Sequence, residues 1–227
     1  MRVAVVIPAH NEEGALSDVL AAVPPNLVEE IVVVDNASVD RTAEVARARG
    51  ATVVAEPHLG YGAACLRGID HLMDRPPEVL VFLDGDGSDD PAEIGRLVEP
   101  IERGTADLVI GSRTLGAREA GALLPQARAG NWLATRLIRL FYGGRFTDLG
   151  PFRAIRFQSL LDLAMRDRDF GWTVEMQIKA SKRRLRCTEI PVSYRRRRAG
   201  VSKITGTLAG SIRAGRKILW TVVRNLP

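Results

Sequence analysis

The chain has 227 residues, 46% of them apolar, with a formal charge of +5. That is long enough for one sizeable core and too well mixed in composition for a disordered or fibrous chain. Two cysteines, Cys65 and Cys187, exclude a disulfide framework and any repeated metal-ligand spacing, which predicts a reduced, cytoplasmic setting.

Strand and helix patterns then alternate. "RVAVVIPA" (2–9) is a short β-branched run, read as a buried strand; with Pro8 inside it, this start is too short and too broken for a secretory signal. Helical spacing follows at Leu16, Val19, Leu20 and Val23. "EEIVVVDNAS" (29–38) is a second strand and "DRTAEVARARG" (40–50) a helix, with Ser38 or Asp40 as cap and Gly50 as stop. A third strand (51–57), a helix (61–73), a fourth strand "EVLVFLD" (78–84), a helix opening on Pro91 and a fifth strand "ADLVIGSR" (106–113) complete the series. Such alternation predicts a mostly parallel sheet covered on both faces, with ligands at the carboxyl ends of its strands. The polar punctuation falls there, which gathers the chemistry around Asn11, Asp35, Asp84, Asp86 and Arg113.

Beyond Arg113 the periodicity weakens. Residues 114–130 read as a mobile loop, 131–144 as a helix, 147–165 as a turn, short strand and helix, 170–184 as a helix and 185–197 as a strand. In the last segment Leu208, Ile212, Leu219, Val222 and Leu226 share one helical face, with Arg213, Lys217 and Arg224 opposite. The charge is asymmetric: residues 182–227 hold 13 Lys/Arg and one acid, whereas residues 1–181 hold 19 basic and 26 acidic residues. A basic amphipathic tail on an acidic body predicts an anionic partner, either a phosphate or a membrane surface. No stretch approaches the roughly 18 apolar residues of a spanning helix. "RRRR" (195–198) has no nucleic-acid-binding module beside it, so contact with lipid phosphate or headgroups is expected instead of nucleic acid. "GYGAAC" lacks the third glycine of a dinucleotide loop, and the three histidines show no metal spacing.

"VFLDGDGSDDP" (81–91) sets Asp84 and Asp86 at an i, i+2 spacing after a strand, where two carboxylates can converge on a hard divalent cation alongside substrate phosphates. Asp89 and Asp90, just before Pro91, read as helix caps.

"VVIPAHNEE", "IVVVDNASVDRT", "GYGAACLRGI", "VFLDGDGSDDP" and "LVIGSR", in that order, resemble the nucleotide-sugar-binding half of glycosyltransferase family 2, with the Rossmann-like GT-A fold. "TDLGPFRAIR", "FGWTVEMQIKA" and "EIPVSYRRRRAGVSK" resemble its dolichol- or polyprenyl-phosphate mannosyl- and glucosyltransferase branch, so the resemblance spans roughly residues 1–205. It implies a GT-A domain over 1–204 followed by the basic helix 205–227. Pro8, Ala9, Asn11 and Glu12 would line the nucleotide site, and Asp35 would accept from a base N–H of uracil or guanine. Asp84 would lie near the ribose or sugar, and Asp86 would hold Mg²⁺ or Mn²⁺. Ser88 stands where some relatives have a metal-binding glutamine and is a weaker ligand. Arg113, Arg153, Ser202 and Lys203 would contact the diphosphate or the acceptor phosphate. The alternative for Arg113 is a salt bridge with a neighbouring acid. Thr173 occupies the place of the family's usual catalytic Asp, with Glu175 as the later acid. A phosphate acceptor is already ionised and needs no base, so the change fits one. Glu175 would orient sugar hydroxyls or favour the helix dipole; Asp148 is the other candidate acid or a turn cap.

The implied activity is inverting, metal-dependent transfer from a UDP- or GDP-linked sugar to a polyprenyl phosphate by a peripheral enzyme at the inner face of the cell membrane. Alternatives are a soluble sugar or small phosphorylated acceptor, or a non-catalytic nucleotide-binding membrane adaptor. The exposed apolar helix face could also join two copies as a homodimer.

Overall fold

The computed structural model describes residues 1–198, 215–217 and 220–225. Ser202, Lys203 and most of the expected tail helix lie outside them.

Seven strands form one sheet: β1 (Val3–Ala9), β2 (Glu30–Asp35), β3 (Thr52–Ala55), β4 (Val79–Phe82), β5 (Leu108–Ser112), β6 (Arg153–Arg156) and β7 (Cys187–Pro191), in the order β3-β2-β1-β4-β6-β5-β7. All neighbouring pairs are parallel except those of β6, which is inserted antiparallel between β4 and β5. The expected mostly parallel sheet is thus found, with one reversed strand that its four-residue pattern did not announce.

Because side chains alternate across a strand, β1 feeds two cores. Val3, Val5 and Ile7 pack with Leu16, Val19 and Leu20 of α1 (Leu16–Ala22), Ala46 of α2 (Thr42–Ala48) and Ile94, Leu97 and Ile101 of α4 (Ile94–Glu102). Ala4 and Val6 face Ala64, Ile69 and Leu72 of α3 (Tyr61–Leu72), Ile138 of α5 (Pro125–Tyr142), Leu160 of α6 (Phe157–Leu163) and Trp172 and Met176 of α7 (Trp172–Lys182). Trp172 meets Phe82 of the central β4 edge to face, with ring centroids 5.9 Å apart. Each fully buried aliphatic or aromatic side chain contributes about 1.5–3 kcal/mol of transfer free energy, so both layers clamp the sheet.

Two boundaries differ from expectation. α5 starts at Pro125, six residues before the expected Asn131, because proline suits a first helical turn. β7 ends at Pro191, after which the chain leaves the sheet instead of continuing to 197. Proline cannot donate to a ladder, and this one closes the strand.

Candidate active site

The site is built from loops at the carboxyl ends of β1, β2, β4 and β5, as expected for an open α/β sheet. The loops after β1 and β2 are cross-braced. The Asn11 N–H donates to Ser38 Oγ (3.0 Å) and the Val39 N–H to Asn11 Oδ1 (2.8 Å). Asn11 and Ala37 both sit at positive φ, 55° and 57°. Asparagine tolerates this region and alanine does not, so strain is concentrated at this edge. Asp35 ends β2, where its Oδ1 accepts from the Ser38 N–H (3.1 Å). Asn36, buried beside it, donates to the carbonyls of Glu56 and His58 and accepts from the Gly60 N–H. It fixes the floor of the cleft on the β3 side. Its place in the "DNAS" motif is visible in the sequence, but this bracing task is not.

Asp84 follows β4 and is half-buried, with its Oδ1 enclosed. Its Oδ1 has no hydrogen-bond partner, and burial with the neighbouring Asp86 pushes its pKa up to about 7. Asp86 is held differently: its Oδ1 accepts from both the Ser88 N–H (2.9 Å) and the Ser88 hydroxyl (2.5 Å). Ser88 therefore orients Asp86 with the hydroxyl that the sequence offered to a metal. Gly87 has φ of 75°, a turn that brings Ser88 back onto Asp86 and suits a residue without Cβ.

Of the two expected caps, only Asp90 acts as one, accepting from the Ala92 N–H at 3.2 Å. Asp89 turns inward. It is 2% exposed, neither carboxylate oxygen has a partner, and burial together with Asp84 raises its pKa well above the usual carboxylate range. Two adjacent aspartates cannot cap one helix start, and nothing in the local sequence says which of them points inward.

Arg113 follows β5 and is clamped by the buried Asp148. Nε donates to Oδ2 at 2.8 Å and Nη2 to Oδ1 at 2.6 Å, while the backbone N–H reaches Oδ2 at 2.7 Å. The carboxylate raises the guanidinium pKa against the opposing effect of burial. Arg113 also stacks on the ring of Tyr194, 5.1 Å from its centroid. Asp148 is in turn held by the Glu189 carboxylate, which accepts from the Thr147 and Asp148 N–H groups, and by Gln177, which donates to the Asp148 carbonyl. The ion-pair reading of Arg113 and the acidic role of Asp148 meet in one rigid unit.

Two candidates lie away from the open cleft. Arg153 is fully buried beneath it, and its guanidinium is taken up by the carbonyls of Leu149, Gly150 and Thr173. Burial lowers its pKa to about 10. It supports the turn that carries Asp148 and presents no donor to an acceptor phosphate. Glu175 accepts from the Arg166 and Asp167 N–H groups and pairs with Lys179 at 2.7 Å, so it fastens the 166–169 loop. That loop sits on α3. The Ala63 N–H donates to the Arg168 carbonyl, and a Cβ at Gly62 would collide with the Asp167 carbonyl. "GYG" is thus a seat for backbone, consistent with its poor match to a phosphate loop.

Pro8 and Ala9 end β1 at the cleft, and Glu12 lies behind them, largely buried, with its N–H on Thr42 Oγ1 (2.8 Å). Facing Glu12 and Asp86 is Arg197, which the sequence placed in a strand. Asp84, with an unpartnered enclosed oxygen, and Asp86, whose Oδ2 faces the Arg197 guanidinium, are the two carboxylates of the cleft that could hold a hard divalent ion. No group of three His, Cys, Asp or Glu side chains among the described residues could hold a metal ion. A cation held by these two carboxylates would need further ligands from substrate phosphates.

The sequence matches Glycosyl transferase family 2 over residues 4–163, and the chain belongs to that family. It is 41% identical over 211 residues to an uncharacterized glycosyltransferase of Mycobacterium tuberculosis, covering 92% of this chain and 93% of the relative. It is 32% identical over 221 residues to the undecaprenyl-phosphate mannosyltransferase of Micrococcus luteus, covering 92% and 90%. Among solved structures it superposes with a TM-score of 0.78 on glucosyl-3-phosphoglycerate synthase of Mycobacterium tuberculosis in complex with Mn²⁺, UDP and phosphoglyceric acid. That match is 22% identical and covers 100% of this chain and 79% of the other. The expected family and GT-A architecture both hold.

Proposed function

We propose that the protein transfers a sugar, with inversion, from a nucleoside-diphosphate sugar to a polyprenyl phosphate at a membrane surface. The observation that carries this reading is the outer face of α5. The helix contains three arginines and no acid, and it exposes Trp132, Leu133, Leu140 and Phe141. Arg136 stacks on Trp132 at 5.6 Å. Trp220 and Val223 of the C-terminal helix are also exposed, and that helix meets α5 through the Tyr142 hydroxyl, which donates to the Val222 carbonyl. Apolar side chains with aromatic and arginine flanks suit an anionic lipid interface. On its inner side α5 reaches the site: Asn131 donates to the Thr147 carbonyl (3.0 Å) and accepts from the Leu149 N–H (2.8 Å), on either side of Asp148. A lipid phosphate seated at this face would thus lie near the Arg113–Asp148 unit. The relation to the undecaprenyl-phosphate mannosyltransferase supports the same acceptor class.

Within this reading Asp35 accepts from the base, and Asp86, with Asp84, holds Mg²⁺ or Mn²⁺. When bound, the cation neutralises charge on the leaving diphosphate. Arg113, already fixed by Asp148, adds positive charge at the same group without reorganising. Thr173 supplies no base, and an ionised phosphate nucleophile requires none.

A second reading has a small phosphorylated acceptor. The superposition of this whole chain on 79% of glucosyl-3-phosphoglycerate synthase, which was solved with phosphoglyceric acid, supports it. Both readings predict a Mn²⁺-dependent rise in melting temperature with UDP or GDP, and loss of turnover in Asp86→Ala with the fold retained. Product formation from polyprenyl phosphate in anionic vesicles, but not from phosphoglyceric acid, supports the lipid acceptor. The reverse result overturns it.

A further inference from the structure

The basic run 195–198 reads in sequence as a contact for lipid phosphate; in the fold Arg197 alone of the four turns inward. After Pro191 the chain crosses the acidic loop as an extended strap. The Arg195 N–H donates to the Ser88 carbonyl (2.8 Å) and the Arg198 N–H to the Asp86 carbonyl (3.2 Å). On its other side, the Tyr194 N–H donates to the Ala117 carbonyl and the Glu119 N–H to the Tyr194 carbonyl, both at 2.9 Å. The strap therefore bridges the loops after β4 and β5. Arg195 and Arg198 point outward to Asp90 and Asp18. Arg197 points between Glu12 and Asp86: it bonds to Glu12 Oε1, and its Nη1 lies 3.2 Å from Asp86 Oδ2. All three side chains are mostly buried, with 19%, 9% and 14% exposure for Arg197, Glu12 and Asp86.

The geometry leaves little choice. Two carboxylates in a partly desolvated pocket repel each other unless a cation joins them. Asp86 Oδ1 already accepts twice from Ser88, so Oδ2 is the oxygen left to face a cation. That is the oxygen Arg197 takes. A divalent ion at about 2.1 Å from the same oxygen would press against the guanidinium, charge against charge.

We propose that Arg197 is the resident counter-ion of the donor site, occupying Asp86 Oδ2 in the nucleotide-free protein, and that a divalent cation must displace it and loosen the strap. The proposal rests on the reading of Asp86 as the cation-holding residue. It follows that a cation enters readily only with a ligand that brings its own negative charge, such as a nucleoside diphosphate.

The test is a Mn²⁺ titration of the full chain without nucleotide, with free Mn²⁺ followed by electron paramagnetic resonance. Arg197→Ala should bind Mn²⁺ about tenfold tighter or more than the parent protein, about 1.4 kcal/mol. Arg197→Lys should fall between them, because it keeps the charge and loses the fork. In the unaltered protein, saturating Mn²⁺ should speed hydrogen exchange at the Arg195 and Arg198 amides, a readout that needs no variant. Unchanged, weaker or absent Mn²⁺ binding in Arg197→Ala, or unaltered exchange at both amides, overturns the proposal. A parent protein that still shows a Mn²⁺-dependent shift with UDP or GDP would then keep the donor site while losing the counter-ion. If Asp86→Ala added to Arg197→Ala left the tighter Mn²⁺ binding in place, the assignment of Asp86 itself would fall.

Discussion

The two halves of the sheet are assembled by different rules. On the β1–β4 side, consecutive parallel strands each deliver a short polar loop to the same edge, and most of its site contacts join neighbouring loops, such as Asn11 to Ser38 and Val39. On the β5–β7 side a reversed strand is inserted, and the contacts span long stretches of chain, with Arg113 meeting Asp148 and Arg197 meeting Asp86. The first half is a repeating local plan. The second is a set of long-range ion pairs laid across it, and its rigidity depends on a few buried charges.

Breaking the second half should have the largest effect. Asp148→Asn keeps the shape and leaves the Arg113 guanidinium buried without its counter-charge, an arrangement that costs about 3–5 kcal/mol. Urea unfolding should show that loss, and catalysis should fall with it because Arg113 is no longer held. A variant with unchanged stability would mean that the pair is not the keystone of this half. An intermediate effect is expected where the halves touch. Gly62→Ala forces a methyl group against the Asp167 carbonyl, and overpacking of this kind costs about 1–3 kcal/mol. Thermal melts should register it, whereas substitution at Gly130, where a Cβ meets open space, should not show a clash.

The pH-dependent effect is the most specific to the first half. Asp84 has a folded pKa of about 7 against an ordinary value of 3.8. A carboxyl raised in this way stabilises the fold fully below about pH 4, and that contribution drains away as pH climbs through about 7. An asparagine side chain does not titrate, so Asp84→Asn should gain on the parent protein over that window. The gain should appear as a higher melting temperature at pH 8, and it should close at pH 4. Such a variant would be more stable and less active, the usual exchange at a strained site. A melting-temperature difference that does not vary with pH would remove Asp84 as the titrating group.

The same division separates what could be read in the chain from what could not. The alternating β-branched runs and helical periods placed the five leading strands and the polar edge, because periodicity is local and burial rewards it directly. They also located Asp35, Asp84, Asp86 and Arg113, since each follows a strand whose end is visible in the sequence. Pro191 is a local stop for β7, because proline cannot donate to a ladder. The inward turn of Asp89, the reversal of β6, the burial of Arg153 under the Asp148 turn and the arrival of Arg197 between Glu12 and Asp86 had no local signature. Each is settled by which opposite charge or carbonyl lies within reach after the sheet has closed, and in a buried, weakly screened pocket that choice belongs to the tertiary structure alone.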